Sequence, residues 1–115
     1  MEPTTGLLIL ALFAMLLDLV SGIAKGAKNH ELSSAKMREG AWHKSGFVGL
    51  LALAELLQIA TQYADFGFEV PAFGAVCVFI IATEAVSIYE NLCALNPSIA
   101  DSAFGKLLAS NTDGE

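Results

Sequence analysis

Residues 72–92, AFGAVCVFIIATEAVSIYENL, are the stretch that decides the fold of this chain. The run is apolar enough to enter a bilayer. A helix of this length spans about 30 Å, which is the thickness of the hydrocarbon core. The run nevertheless carries Glu84, Glu90 and Asn91, which are polar groups that hydrocarbon rejects. The stretch therefore predicts a transmembrane helix whose polar face is turned away from lipid.

Two further apolar blocks of similar length precede this stretch, at residues 6–24 and 46–64. Of the 115 residues, 55% are hydrophobic and 16% are charged, which leaves too little polar surface for a soluble domain of this size. We therefore predict an all-α integral membrane protein, a single domain with three transmembrane helices. Because no Lys or Arg precedes the first block, we interpret this block as a retained helix and not as a signal peptide.

The basic residues predict how these helices are oriented. Most of them lie between the first two apolar blocks: Lys25, Lys28, Lys36, Arg38 and Lys44. Basic residues in short connections stay in the cytoplasm. This rule predicts an external N-terminus, a cytoplasmic connection at residues 25–45, an outer hairpin at residues 65–71 and a cytoplasmic tail at residues 93–115.

Both cytoplasmic segments are predicted to contain a short helix. In the connection, Ser33 or Ser34 caps a helix that ends near Lys44, and Trp42 and Lys44 anchor the chain at the membrane interface. In the tail, Pro97 ends the third helix, and apolar residues then recur at helical spacing: Ile99, Ala103, Phe104, Leu107 and Leu108. This spacing predicts a short amphipathic C-terminal helix, which lies either on the inner leaflet or against the cytoplasmic connection.

Each predicted transmembrane helix carries its polar side chains along one face. Helical spacing places them in three stripes, which form the predicted assembly or pore-facing site: Asp18 and Ser21 on the first helix, Glu55, Gln58 and Gln62 on the second, and Glu84, Ser87, Glu90 and Asn91 on the third. A charged residue at the centre of a spanning helix costs about 2.5–3.5 kcal/mol on insertion scales. Three short helices have little volume in which to enclose three stripes, so we expect copies of the chain to associate and to hide them.

Three motifs connect these polar residues with a known family. They are Asp18-x-x-x-Gly22 followed by Lys25, then Leu32-Ser33-Ser34 ahead of Gly40-x-x-x-Lys44, and finally Glu84-x-x-Ser87-Ile88-x-Glu90-Asn91. With these motifs, residues 18–108 resemble the holins of phage lysis and toxin secretion, including the clostridial toxin-export holin-like proteins. The resemblance implies a homo-oligomer of the bacterial cytoplasmic membrane, which opens that membrane at a set time and releases an endolysin or a toxin. The net acidic tail departs from the strongly basic tail of many holins.

The acids in the membrane leave two other functions open. One is a small proton- or cation-coupled transporter or channel subunit, in which Glu55 or Glu84 binds the proton or the substrate. The other is an assembly subunit whose stripes meet a different protein. No enzyme, cofactor or metal is predicted, because His30 and His43 lack metal-ligand spacing and no Ser or Cys has an evident base. The net charge of −6 argues against nucleic acid. The predicted partners are therefore other copies of the chain and membrane lipids.

Overall fold

The computed structural model describes residues 3–65, 67 and 72–113, with the backbone alone at residues 111–113, and these residues form five helices. In chain order they are α1 (Pro3–Lys28), α2 (Ser34–Tyr63), α3 (Ala72–Leu95), α4 (Ser98–Asp101) and α5 (Ala103–Asp113). Of these, α1, α2 and α3 are each long and apolar enough to cross a membrane. The prediction of a helical protein with three such helices is confirmed.

The second helix, α2, is longer than the apolar block from which it was predicted. It begins at Ser34 and continues to Tyr63 without a break. Ser33 caps it, because its Oγ accepts a hydrogen bond from the Lys36 N–H at 3.1 Å and so satisfies a donor that a helix start leaves unpaired. The predicted end of a separate short helix near Lys44 is wrong. No proline interrupts the chain there, and each glycine costs only about 1 kcal/mol in a helix.

The helices α1 and α3 pack along each other in parallel. Near their starts, the Leu7 side chain lies beside Gly74. At their ends, Lys28 Nζ donates hydrogen bonds to the carbonyl oxygens of Ala94 and Leu95, at 2.9 and 3.1 Å. These carbonyls belong to the last turn of α3, where a helix has no partners of its own for its acceptors. Lys28 therefore ties the end of α1 to the end of α3.

The helix α2 also packs against α3, but in the antiparallel direction. The ring of Phe47 contacts that of Phe79 edge to face, with 6.1 Å between their centroids. At the other end of α2, Gln58 Oε1 accepts a hydrogen bond of 3.2 Å from the Phe73 N–H. Within the described residues, α2 makes little direct contact with α1. The central helix of the bundle is thus α3, which packs against both of the others.

The apolar core is small and lies where α1 and α2 meet α3. Its buried residues are Ala11, Met15, Leu51, Ala54, Phe73, Cys77 and Ile80. Large apolar side chains also cover the outside of the helices, and Phe13, Leu56 and Phe79 are each more than half exposed. In water, such exposure forgoes about 25 cal/mol per Å² of apolar surface, whereas lipid solvates that surface well. The outer surface of the three helices therefore suits hydrocarbon.

A tight corner at Ser102 joins α4 to α5. The backbone of Ser102 is extended, and its Oγ accepts a hydrogen bond of 3.0 Å from the Gly105 N–H. A side chain at Gly105 would not fit, since its Cβ would lie 2.6 Å from the carbonyl oxygen of Ala100. Beyond the corner, the ring of Phe104 lies 6.5 Å from that of Tyr89 on α3. The corner thus returns α5 to the end of α3.

Candidate functional site: a charged cluster between three helices

Polar side chains from α1, α2 and α3 meet between the helices and form the candidate functional site. We call this group the Lys44 cluster: Asp18 and Ser21 from α1, Lys44 from α2, and Glu84, Ser87 and Asn91 from α3. It lies toward the end of the bundle where Lys28 joins α1 to α3, which we call the basic end. Helical periodicity aligns the contributions of α1 and α3, since their members follow one another at intervals of three or four residues.

The ammonium group of Lys44 lies between two carboxylates. Its Nζ is 2.8 Å from Asp18 Oδ2 and 2.8 Å from Glu84 Oε2. The Glu84 side chain is only 2% exposed, while those of Lys44 and Asp18 are 18% and 16% exposed. Charge-assisted hydrogen bonds of this length are strong, and a buried charge that loses its partner is costly. Lys44 is therefore an ionic tie from α2 to both other helices.

Asp18 also accepts the hydrogen bonds of neutral side chains. Its Oδ1 accepts from Ser87 Oγ and, at 3.1 Å, from Asn91 Nδ2. Asn91 donates in addition to Ser21 Oγ at 3.0 Å, and Ser21 donates to the carbonyl oxygen of Asp18 at 3.2 Å. In the described part of the chain, every buried side-chain nitrogen or oxygen has a hydrogen-bond partner. The cluster thus meets the condition under which an apolar environment tolerates polar groups.

The structure brings part of the predicted stripes together and leaves the rest apart. Asp18, Ser21, Glu84, Ser87 and Asn91 lie in the Lys44 cluster. Gln58 instead holds the start of α3. Glu55 is half-buried, Gln62 and Glu90 are exposed, and none of these three side chains has a hydrogen bond or ion pair with a described residue. At the basic end, then, a single chain already encloses part of the predicted stripes, because three helices contribute to one compact network.

An open cleft of about 660 Å³ lies beside the cluster. The second half of α1, the connection at residues 29–33 and the first half of α2 form its walls, which carry both apolar and charged side chains: Leu19, Ile23, Leu32, Lys25, Lys36 and Glu39. Asp18, Lys44, Ser87 and Asn91 also line it. The cleft therefore separates α1 from α2 at this end, and Lys44 reaches across the gap.

The same polar residues lie inside a recognisable family pattern. The sequence profile of the bacteriophage holin family matches residues 2–105, which include every member of the Lys44 cluster. The chain belongs to the bacteriophage holin family. The resemblance drawn from the three motifs is thus confirmed, and the three apolar helices agree with a multi-pass, holin-like membrane protein. No curated protein and no solved structure matches this holin-family chain.

Lys44 is the member of the cluster that the sequence analysis assigned wrongly. It was predicted to be an interfacial anchor, whereas its side chain points into the bundle. A signal for this position exists: Lys44 precedes Glu55 by about three helical turns and therefore lies on the same face of α2 as the polar stripe. The predicted helix end near Lys44 separated Lys44 from Glu55, whereas both residues lie on the continuous α2.

The groups that dominate the Lys44 cluster are charged: the ammonium of Lys44 and the carboxylates of Asp18 and Glu84. Two carboxylates share one ammonium, so a second cation can compete with Lys44 for them. Holin-family proteins are generally not enzymes. Within the residues that the structure describes, no group of three or more His, Cys, Asp or Glu is placed to hold a metal ion. What the structure shows at this site is a contact between three helices, made by ion pairs and hydrogen bonds.

Proposed function

We propose that the protein is a holin, which assembles in the bacterial cytoplasmic membrane and opens lesions that release an endolysin or a toxin. Membership of the bacteriophage holin family and the three spanning helices support this proposal. In the proposed orientation the N-terminus is outside and the basic end is in the cytoplasm, because short connections rich in Lys and Arg stay inside. We also propose that α5 lies on the inner leaflet, and the exposed side chains of Phe104 and Leu107 support this part of the proposal.

The observation that carries this proposal is the unpaired carboxyl group of Glu55. Glu55 lies in the middle of the apolar part of α2, and its side chain has no partner among the described residues. A charge at the centre of a spanning helix costs about 2.5–3.5 kcal/mol. Contact with another copy, or with water in an opening between copies, would offset that cost. Both are properties of an assembly and not of one chain surrounded by lipid.

A neighbouring copy inserted in the same orientation has no cation to offer Glu55. Along α2, Lys44 is about 16 Å from Glu55, and the other basic residues lie in residues 25–38 or at Lys106. Neighbours therefore bring hydrogen-bonding groups such as the exposed Gln62, or they enclose water. Either a hydrogen bond from such a group or water in an opening between copies would solvate the Glu55 carboxyl group.

Controlled expression in bacteria tests the proposal. We expect growth to continue for a lag, after which the membrane potential is lost abruptly, and we expect lysis only when a muralytic enzyme is co-expressed. Steady growth with resistance to one particular cation or drug would instead indicate a transporter. For the orientation, a reporter fused to the N-terminus that is active only in the cytoplasm would contradict the proposal.

Glu84→Leu tests whether the Lys44 cluster takes part in this function. We expect α3 to insert normally, since leucine makes the segment more apolar. The lesion should be mistimed or lost, because Lys44 keeps only one of its two carboxylate partners. Val86→Leu is the matched control: Val86 lies two residues further along α3 and is 53% exposed, so its replacement should leave the timing unchanged. Wild-type timing in Glu84→Leu would exclude a role for the cluster.

A further inference from the structure

The Lys44 cluster is built from two parts that pack separately. Asp18, Glu84, Ser87 and Asn91 lie on α1 and α3, which pack together along their length, and we call these four residues the acid socket. The ammonium that occupies the socket comes from α2, which makes little contact with α1 among the described residues. The socket is therefore formed by the α1–α3 pair, and Lys44 is a ligand brought to it by another helix.

At the basic end, α2 is held by Lys44 and, about one turn further along, by the contact of the Phe47 ring with that of Phe79. The cleft of about 660 Å³ separates α2 from α1 there, and the buried residues that α2 contributes to the core are Leu51 and Ala54, further along the helix. The socket also holds two carboxylates against a single ammonium. It consequently keeps an excess of negative charge, which attracts any second cation that reaches its depth in the membrane.

The length of the connection between α1 and α2 is compatible with a shift of α2 toward a neighbouring copy. The connection at residues 29–33 lies between the end of α1 and the start of α2 and reaches about 17 Å when extended. A helix with its side chains is about 10–12 Å across. Thus α2 can part from its own α3 by the width of one helix and remain joined to α1. Copies inserted in the same orientation hold Lys44 at the depth of every other copy's socket, so no vertical shift is needed.

We propose that copies of this chain exchange Lys44, so that the ammonium of one copy docks between Asp18 and Glu84 of the next. This inference rests on the proposed function, because it names the contact through which the holin would assemble. The contact of Lys44 with the socket of a neighbouring copy has the same chemistry as its contact with the socket of its own chain. The exchange is therefore a low-cost route to association. Each copy both gives a lysine and receives one, so the exchange either closes as a reciprocal pair or continues head to tail into rings or arrays.

Cross-linking in membranes with a bifunctional thiol reagent, which spans the gap that the shortened side chains leave, tests the exchange directly. Two differently tagged full-length chains, each with Cys77 and Cys93 replaced by alanine, are co-expressed. One carries Lys44→Cys and the other carries Glu84→Cys. The control pair combines Lys44→Cys with Val86→Cys, because Val86 is close to Glu84 along α3 but faces outward. Wild-type chains with both tags are expressed in parallel and followed for lysis.

At the time of lysis, we expect the 44/84 pair to give at least about tenfold more mixed-tag dimer than the 44/86 pair, since a specific contact raises the effective concentration. Equal yields would mean random collision and would overturn the exchange. Lysis by the wild-type chains without a mixed-tag product would overturn the exchange and leave the proposed function standing. Failure of the wild-type chains to cause lysis would overturn the proposed function itself.

Complementation between variants gives a second measurement without cysteines. Lys44→Met keeps the socket and lacks the ligand, whereas the double variant Asp18→Asn/Glu84→Gln keeps the ligand and lacks the acids. Exchange predicts that each variant alone loses lysis, and that co-expression restores it through a lysine given by one chain to the socket of the other. A mixture that lyses no earlier than the two separate variants would overturn the proposal.

Discussion

Removal of the Lys44 ammonium should destabilise the folded chain markedly. Lys44→Met keeps most of the aliphatic stem and the helix propensity, but it leaves Asp18 and Glu84 facing each other without a cation. The two carboxyl side chains are 16% and 2% exposed, so water screens their repulsion poorly. Loss of one partner from a buried ion pair costs about 3–5 kcal/mol.

The hydrogen bonds of the cluster place this variant at the lower end of that range. Asp18 keeps its hydrogen bonds from Ser87 and Asn91 when the ammonium is absent. We therefore expect the free energy of unfolding to fall by about 3 kcal/mol, which is roughly a 150-fold change in the folding equilibrium.

Reversible unfolding in mixed detergent micelles, followed by circular dichroism, measures this loss. Lys28→Met is the matched control, because Lys28 is exposed and contacts only the end of α3, where a cation contributes about 0.3–1 kcal/mol. Asp18→Asn/Lys44→Met/Glu84→Gln should recover most of the stability, since replacing a whole buried ionic group is often neutral. The reasoning is refuted if Lys44→Met loses no more stability than Lys28→Met.

Two further variants address the rest of the molecule. Glu55→Leu should favour membrane insertion of α2 by about 3 kcal/mol in a glycosylation-mapping assay and should also abolish the lesion; normal lysis by this variant would remove Glu55 from the proposed assembly. Gly105→Ala would bring a Cβ to 2.6 Å from the Ala100 carbonyl oxygen, so amide hydrogen exchange should accelerate in α5 and remain slow in α1–α3. Gly46→Ala, which meets no atom within 4 Å, should leave the exchange unchanged, and equal behaviour of these two glycine variants would contradict the account of the corner.

The sequence predicts where the helices lie along the chain better than it predicts which helices pack against each other. An apolar block of membrane length is a local signal for a spanning helix, and Pro97 is a local signal for a helix end. The structure contains the three long apolar helices, and Pro97 lies just before the start of α4. Helical spacing likewise places Glu84 and Ser87 on one face. Helical spacing alone does not show whether that face contacts Asp18 of the same chain, because this contact depends on which helix lies at the centre of the bundle. For Lys44, proximity to the membrane boundary suggested an anchor, and only the continuous α2 shows that it joins the stripe.

The polar stripes of a single chain differ in whether their side chains have hydrogen-bond or ion-pair partners. At the basic end, the Lys44 cluster gives every buried polar side chain a partner, so breaking it open requires free energy. Further along α2, Glu55 has no partner among the described residues. In the proposed assembly, contact with other copies would lower its free energy. In the proposed function, Glu55 supplies the drive to assemble and the cluster supplies the barrier. The barrier lets closed chains accumulate first, which is the behaviour that a delayed lesion requires.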